Sequence, residues 1–139
     1  MGQQPRVRER DEVQLLAASQ ALIDVHGTWA WVVIVTNGIA GLWALGAHRY
    51  ERLRTPWLWR FTAVAEVAIF VQVILGVILI QGRKQDDFGF HVLYGFSAAF
   101  TVAIVYSYRN QLRDKVYLLY GCGGLFVMGL GLRAIATLP

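Results

Sequence analysis

The chain has 139 residues, of which 56% are hydrophobic and 16% are charged, and its formal net charge is +4. This length fits one domain, and the composition is too apolar for an ordinary soluble domain of this size. In such a chain basic residues mark membrane topology before they mark a partner, so the positive charge does not indicate nucleic-acid binding.

The segment before the first apolar window, residues 1–21, lacks a positive patch that leads directly into a cleavable apolar core. We therefore do not interpret it as a removable signal peptide. Val13, Leu15, Leu16 and Ala18 are compatible with a short amphipathic helix at the membrane surface. The alternative interpretation is a partly flexible tail.

Four apolar windows predict an all-α integral membrane protein. They cover residues 22–47, 57–80, 88–108 and 116–138. Each holds about 20 residues or more, which at roughly 1.5 Å per residue spans a hydrocarbon core of about 30 Å. Because short segments join them, we expect an antiparallel four-helix bundle. The glycine-rich stretch GCGGLFVMGLG of the fourth window predicts close helix packing.

Two basic segments directly flank helices and favour one orientation in the membrane. They are HRYERLR at 48–54 and YRNQLRDK at 108–115. Because basic residues next to helices are enriched on the cytoplasmic side, we expect both segments there. The termini and the loop QGRKQDD at 81–87 then face outward, in a bacterial or archaeal plasma membrane.

Polar and small residues of all four windows are expected at the same depth, near the outer edge of the membrane. His26 lies about four residues into the first window and His91 about three into the third, which puts both roughly 5 to 6 Å below the edge. Gly76, Gly95 and Arg133 come to the same level. Ionisable groups inside a membrane indicate a functional site by default.

This level predicts a site for b-type haem. Two neutral imidazoles, those of His26 and His91, are suitable metal ligands, the glycines admit a flat macrocycle, and the guanidinium of Arg133 can pair with propionates. Trp29, Phe90 and Tyr94 are candidate walls. The alternative is a ligand-free polar layer in which the histidines are hydrogen-bonded edge residues.

Other polar residues in the windows have plainer interpretations. In the ligand-free layer Asp24 pairs with Arg133. Near the membrane centre, a protonated Glu66 is expected to bond Asn37, with a proton relay or a quinone contact as the functional alternative. His48, at the cytoplasmic end, belongs to the basic loop, so we expect one haem at most.

The order of these features resembles one four-helix half of the haem A synthase family and, more distantly, the bundles of the cytochrome b561 type. The resemblance covers about residues 22–108 and rests on IDVHG, HRYERLR, FVQVILGVIL and FHVLYGF. It implies that His26 and His91 are the axial ligands of a haem on the outer side.

The chain also departs from that family. The family has a glutamate before a His-Arg pair, whereas here Asp24 precedes His26 and Gly27 follows, and the paired outer-loop cysteines of many members are missing. These differences count against oxidative chemistry on haem. They leave haem ligation untouched, because ligation needs only the two imidazoles.

Three functions follow as hypotheses. The first is a b-type haem protein for electron transfer or haem handling beside a respiratory complex. The second is a haem-free structural or assembly subunit of a membrane complex. The third is a haem-modifying oxidoreductase of haem A synthase type, although we predict no catalytic residue. The expected partners are the lipid bilayer and respiratory-chain or other membrane subunits, and a homo-oligomer is left open.

Overall fold

The structure is a computed structural model that describes residues 4–81 and 89–137. This part of the chain is all-helical and contains no strand, which confirms the predicted all-α, four-helix class. Residues 82–87 of the predicted outer loop, with Arg83 and Lys84, lie outside the described residues. The long helices are α1 (Gln4–Arg49), α2 (Pro56–Ile80), α3 (Gly89–Tyr108) and α4 (Val116–Ala136).

The first helix is longer than its apolar window. It begins at Gln4 and continues unbroken through residue 22, where hydropathy alone put its start. Residues 6–21 are exposed along this extension. The segment is rich in Glu, Gln, Arg, Leu and Ala, which favour a helix by intrinsic propensity rather than by burial. The other three helices begin and end within two residues of their windows.

The connection from α1 to α2 is held by side chains that bond backbone carbonyls. Arg54 donates from Nε to the carbonyl oxygen of Ala47 at 2.9 Å and from Nη2 to that of His48 at 3.3 Å. These carbonyls belong to the last turn of α1 and have no partner within the helix. Trp43 donates from its indole to the carbonyl of Leu53 at 3.1 Å. Pro56 then opens α2, where its missing N–H removes no helical bond.

Consecutive helices run antiparallel. Between α1 and α2, Trp29 donates to the carbonyl of Ala68 at 3.0 Å, and Asn37 donates to that of Ala65 at 3.1 Å. The partner number falls as the α1 number rises, as antiparallel helices require. Helix α1 also packs along α4, and α3 packs against α4 and α2, so α1 and α3 lie diagonally across the bundle.

Glycines bring the backbones of α1 and α4 into contact, as the glycine-rich fourth window predicts. A Cβ on Gly41 would lie 2.8 Å from the backbone nitrogen of Leu125, and one on Gly124 would lie 2.9 Å from the Cα of Gly41. We call Gly41, Gly121 and Gly124 the glycine seam. Such close approach lets two helices gain dispersion contacts that do not depend on water.

The bundle buries a small core and exposes apolar outer faces. Six buried residues from all four helices form the main cluster: Val33, Ala68, Ile69, Ala98, Val102 and Val127. Large apolar side chains cover the outside, among them Trp31, Leu42, Val64, Phe100 and Phe126. By length and composition, all four helices are able to cross a membrane.

Candidate functional site

Two imidazoles from the diagonal helices meet across the bundle axis. The ring centroids of His26 on α1 and His91 on α3 are 5.9 Å apart, and the ring planes are inclined at 67°. The structure thus brings together the two histidines that the sequence put at one level. Both side chains are partly buried.

The ring of His91 is oriented by the end of α4. Its Nδ1 lies 3.0 Å from the carbonyl oxygen of Ala134. This carbonyl is in the last turn of α4, where helical carbonyls lack helical partners, and it also accepts a bond from the hydroxyl of Thr137 at 3.0 Å. A carbonyl only accepts, so Nδ1 carries the proton and Nε2 of the neutral ring keeps its lone pair.

The ring of His26 is held from α2. The side-chain amide nitrogen of Gln72 lies 3.1 Å from the backbone oxygen of His26 and 3.3 Å from its Nε2. Because the amide nitrogen has two protons and only donates, both positions accept, and the imidazole proton sits on Nδ1. One turn further, a Cβ on Gly76 would lie 3.2 Å from Cε1 of His26, so the glycine gives the ring its room.

Two buried polar atoms of the site have no hydrogen-bond partner in the described part of the chain. They are Nδ1 of His26 and Oε1 of Gln72. A buried polar atom left without a partner costs about 1–3 kcal/mol, and in native proteins such atoms are uncommon enough to need a reason. Such atoms are satisfied by an ordered water or by a ligand.

An apolar cavity adjoins the two rings. Its volume is about 80 Å³. Besides His26, Gln72 and His91, its walls come from small, aliphatic and aromatic residues of all four helices. Among them are Val33, Ile69, Val73, Ala98, Val127 and Gly131. A few polar groups at the edge of an apolar cavity are the usual arrangement of a small-molecule or cofactor site.

Of the glycines and the arginine predicted to share this level with the histidines, the glycines line the cavity and the arginine does not. Gly76 and Gly95 both line the cavity, and a Cβ on Gly95 would meet nothing within 4 Å. Arg133 is exposed on α4 and is not among the cavity-lining residues, although its neighbour Ala134 is. Its pairing with propionates stays a prediction.

The three aromatic residues predicted to wall the haem site, Trp29, Phe90 and Tyr94, do not all line the cavity. Tyr94 lines the cavity, whereas Phe90 is 68% exposed. The indole of Trp29 is used in its bond to the carbonyl of Ala68. Only one of the three aromatic side chains is thus a wall of the cavity.

Two predicted polar pairs are not formed. Asn37 is buried and donates to the backbone carbonyls of Val33 and Ala65 instead of bonding Glu66. The small side chain of Ala65 lets the backbone of α2 come within reach, which explains the preference. Asp24 is exposed and accepts a bond from Gln20 at 3.1 Å, and no ion pair with an arginine of α4 is seen among the described residues.

Sequence reasoning missed Gln72, the residue that holds His26. The signal was available: Gln72 is an amide inside an apolar window, and it precedes Gly76 by one helical turn on the same face. Polar residues within such windows usually face the bundle interior. Hydropathy does not tell which face of α2 turns toward His26, and this face decides the contact.

Comparison with protein-family models, with curated proteins and with solved structures gives no match. The resemblance to the haem A synthase family therefore stays a prediction.

Proposed function

We propose that the protein is a membrane-embedded carrier of one b-type haem, bound by the imidazoles of His26 and His91. The main support is that the centroids of these two rings lie 5.9 Å apart beside an apolar cavity. The porphyrin of a haem would supply four nitrogens to its iron, and His26 and His91 would supply the remaining ligands. When bound, the haem would supply a one-electron redox centre.

The ring separation suits this role. Two imidazoles that bound one metal from opposite sides, with metal–nitrogen bonds of about 2 Å, would have their ring centres roughly 6 Å apart. The observed 5.9 Å is close to this separation. The bond from Nδ1 of His91 to a backbone carbonyl is also the contact that commonly orients a metal-binding histidine and leaves Nε2 to bind.

A glycine at the cavity wall supports the same proposal. Gly95 lies at the cavity wall with nothing near its Cα on the side where a Cβ would project, so a flat group can approach the backbone of α3 there. Arg133, near the end of α4, is the candidate partner for propionates at the rim.

We infer that the four helices span a membrane as an integral bundle. The support is the large apolar side chains on their outer faces, which would be a strong aggregation surface in water and suit lipid contact. With the basic loops on the cytoplasmic side, the termini and the haem face outward, in a bacterial or archaeal plasma membrane.

At that position the protein would transfer electrons or handle haem beside a respiratory complex. Conversion of the haem is the enzymatic extension of this proposal. Haem extraction after co-expression with a source of haem O separates the two: recovery of haem A favours an oxidoreductase, and recovery of unmodified haem favours a carrier.

The test is a set of reduced-minus-oxidised absorption spectra of protein made with a haem supply and purified in detergent. We expect low-spin b-type bands in the parent, and their loss or conversion to high-spin bands in His26→Ala and His91→Ala. His48→Ala is the matched control, because His48 is exposed at the other end of the apolar part of α1, and it should keep the parent spectrum. A colourless parent would contradict the proposal.

A haem-free structural or assembly subunit is the second candidate function. One observation favours it: the imidazoles of His26 and His91 each already have a hydrogen-bond partner inside the bundle. In that case the parent is colourless, and the histidine variants change only the stability of the bundle. Co-purification of other membrane subunits with the parent would then identify its complex.

A further inference from the structure

The two imidazoles are held by different kinds of partner. His91 is fixed through Nδ1, the nitrogen opposite the one that would bind a metal. His26 is held through Nε2, the nitrogen that would itself bind a metal, by the amide of Gln72. The pair is therefore asymmetric with respect to a ligand between the rings.

For His91, metal binding requires no bond to break. The carbonyl of Ala134 accepts from Nδ1 whether or not Nε2 is occupied, so the same contact orients the ring in both states. The lone pair on Nε2 is available in the ligand-free protein.

For His26, metal binding competes with Gln72. The amide donates to Nε2 at 3.3 Å, and one lone pair cannot serve both the amide and a metal. The second bond of the amide, to the backbone oxygen of His26 at 3.1 Å, survives the exchange. It keeps Gln72 next to the ring, so the competing donor stays within reach after His26 has bound.

We propose that His91 is the fixed ligand and His26 the exchangeable one, with Gln72 as the positioning residue that receives His26 when it leaves the metal. This inference rests on the proposed haem site and adds a regulation to it. With His26 held by Gln72, a haem bound by His91 alone would leave a ligand position for a small uncharged molecule such as carbon monoxide.

The first test compares how each histidine retains haem. Parent, His26→Ala and His91→Ala are loaded with haem, passed through a desalting column and measured by their absorption spectra. We expect His26→Ala to keep most of its haem in a five-coordinate, high-spin form and His91→Ala to lose most of it. Equal loss from both variants, or the reverse order, would overturn the asymmetry.

The second test measures carbon monoxide binding to the dithionite-reduced, haem-loaded protein. In Gln72→Leu the bond to Nε2 is lost, so free His26 is less stable and competes more strongly for the iron. The bond from Gln72 to the backbone oxygen of His26 is also lost in this variant. It is lost whether or not His26 binds the iron, so its loss does not change the competition. We expect carbon monoxide affinity to fall by about 3- to 10-fold, which corresponds to one ordinary hydrogen bond. Gln81→Leu, at the exposed end of α2, is the control and should match the parent.

The outcomes separate the two proposals. A parent that binds no haem overturns the haem site and this inference with it. A low-spin parent whose carbon monoxide affinity is unchanged or higher in Gln72→Leu overturns the exchange while the haem site stands. If Gln72→Leu does not fold, the retention test still decides, because it uses no substitution at Gln72.

Discussion

Replacement of Gly124 by alanine tests whether the glycine seam holds α1 and α4 together. The added methyl carbon would lie 2.9 Å from the carbonyl oxygen of Asn37 and 2.9 Å from the Cα of Gly41. Ordinary van der Waals contact begins at 3.4 Å, so both distances are about half an ångström too short. The obstructing atoms are backbone, so neither can rotate away, and α1 and α4 must separate.

The separation sets the size of the effect. A gap of about 0.5 Å removes roughly a quarter of the dispersion energy of each contact across the interface, and overpacking of this kind costs about 1–3 kcal/mol. The gain in helix propensity from glycine to alanine offsets up to about 1 kcal/mol. We therefore expect Gly124→Ala to lower the free energy of unfolding by up to about 2 kcal/mol.

Gly129→Ala on the same helix is the matched control. Its methyl group would meet nothing within 4 Å, so it keeps the propensity gain without the clash. Both variants are unfolded by denaturing detergent in mixed micelles and followed by circular dichroism. The propensity gain is common to both and cancels, so we expect Gly124→Ala to be about 1–3 kcal/mol less stable than Gly129→Ala. Equal stability of the two variants would refute the backbone contact.

Two further predictions concern the site and the turn after α1. Gly76→Ala pushes a methyl group to 3.2 Å from Cε1 of His26, so haem affinity should fall several-fold in a titration, whereas Gly27→Ala, with nothing within 4 Å, should match the parent. Arg54→Ala leaves two carbonyls at the end of α1 without their donor and should destabilise the bundle by about 1 kcal/mol, measured by unfolding. Arg52→Ala, exposed in the same turn, should change the stability little, and a similar loss in both variants would contradict the capping role.

The polar bonds inside the bundle follow one pattern. Trp29, Asn37 and Gln72 each use a side-chain N–H group to bond a backbone carbonyl of the neighbouring helix. A helical carbonyl has a second lone pair, so it accepts these bonds without losing its own helical one. Measured values for such bonds in membranes average about 0.6 kcal/mol, so their main effect is to set the rotation and register of α1 against α2.

Local sequence properties determined the class of the fold and the level of the site. Four apolar windows are enough to define α2, α3, α4 and the apolar part of α1, because hydrophobicity and helical length are summed along the chain. The depths of His26 and His91 follow from the same counting. The start of α1 at Gln4 escaped this method, since its first turns are helical by propensity and carry no apolar window.

Tertiary structure decided which groups meet. Counting along a helix gives the depth of a residue but not the direction in which it points, and small differences in helix rotation change the partner. For this reason Gln72 reaches His26, Asn37 bonds the backbone of Ala65 rather than Glu66, and Arg133 lies outside the cavity. The glycine seam contributes to this choice, because backbone contact between α1 and α4 limits how far either helix can turn.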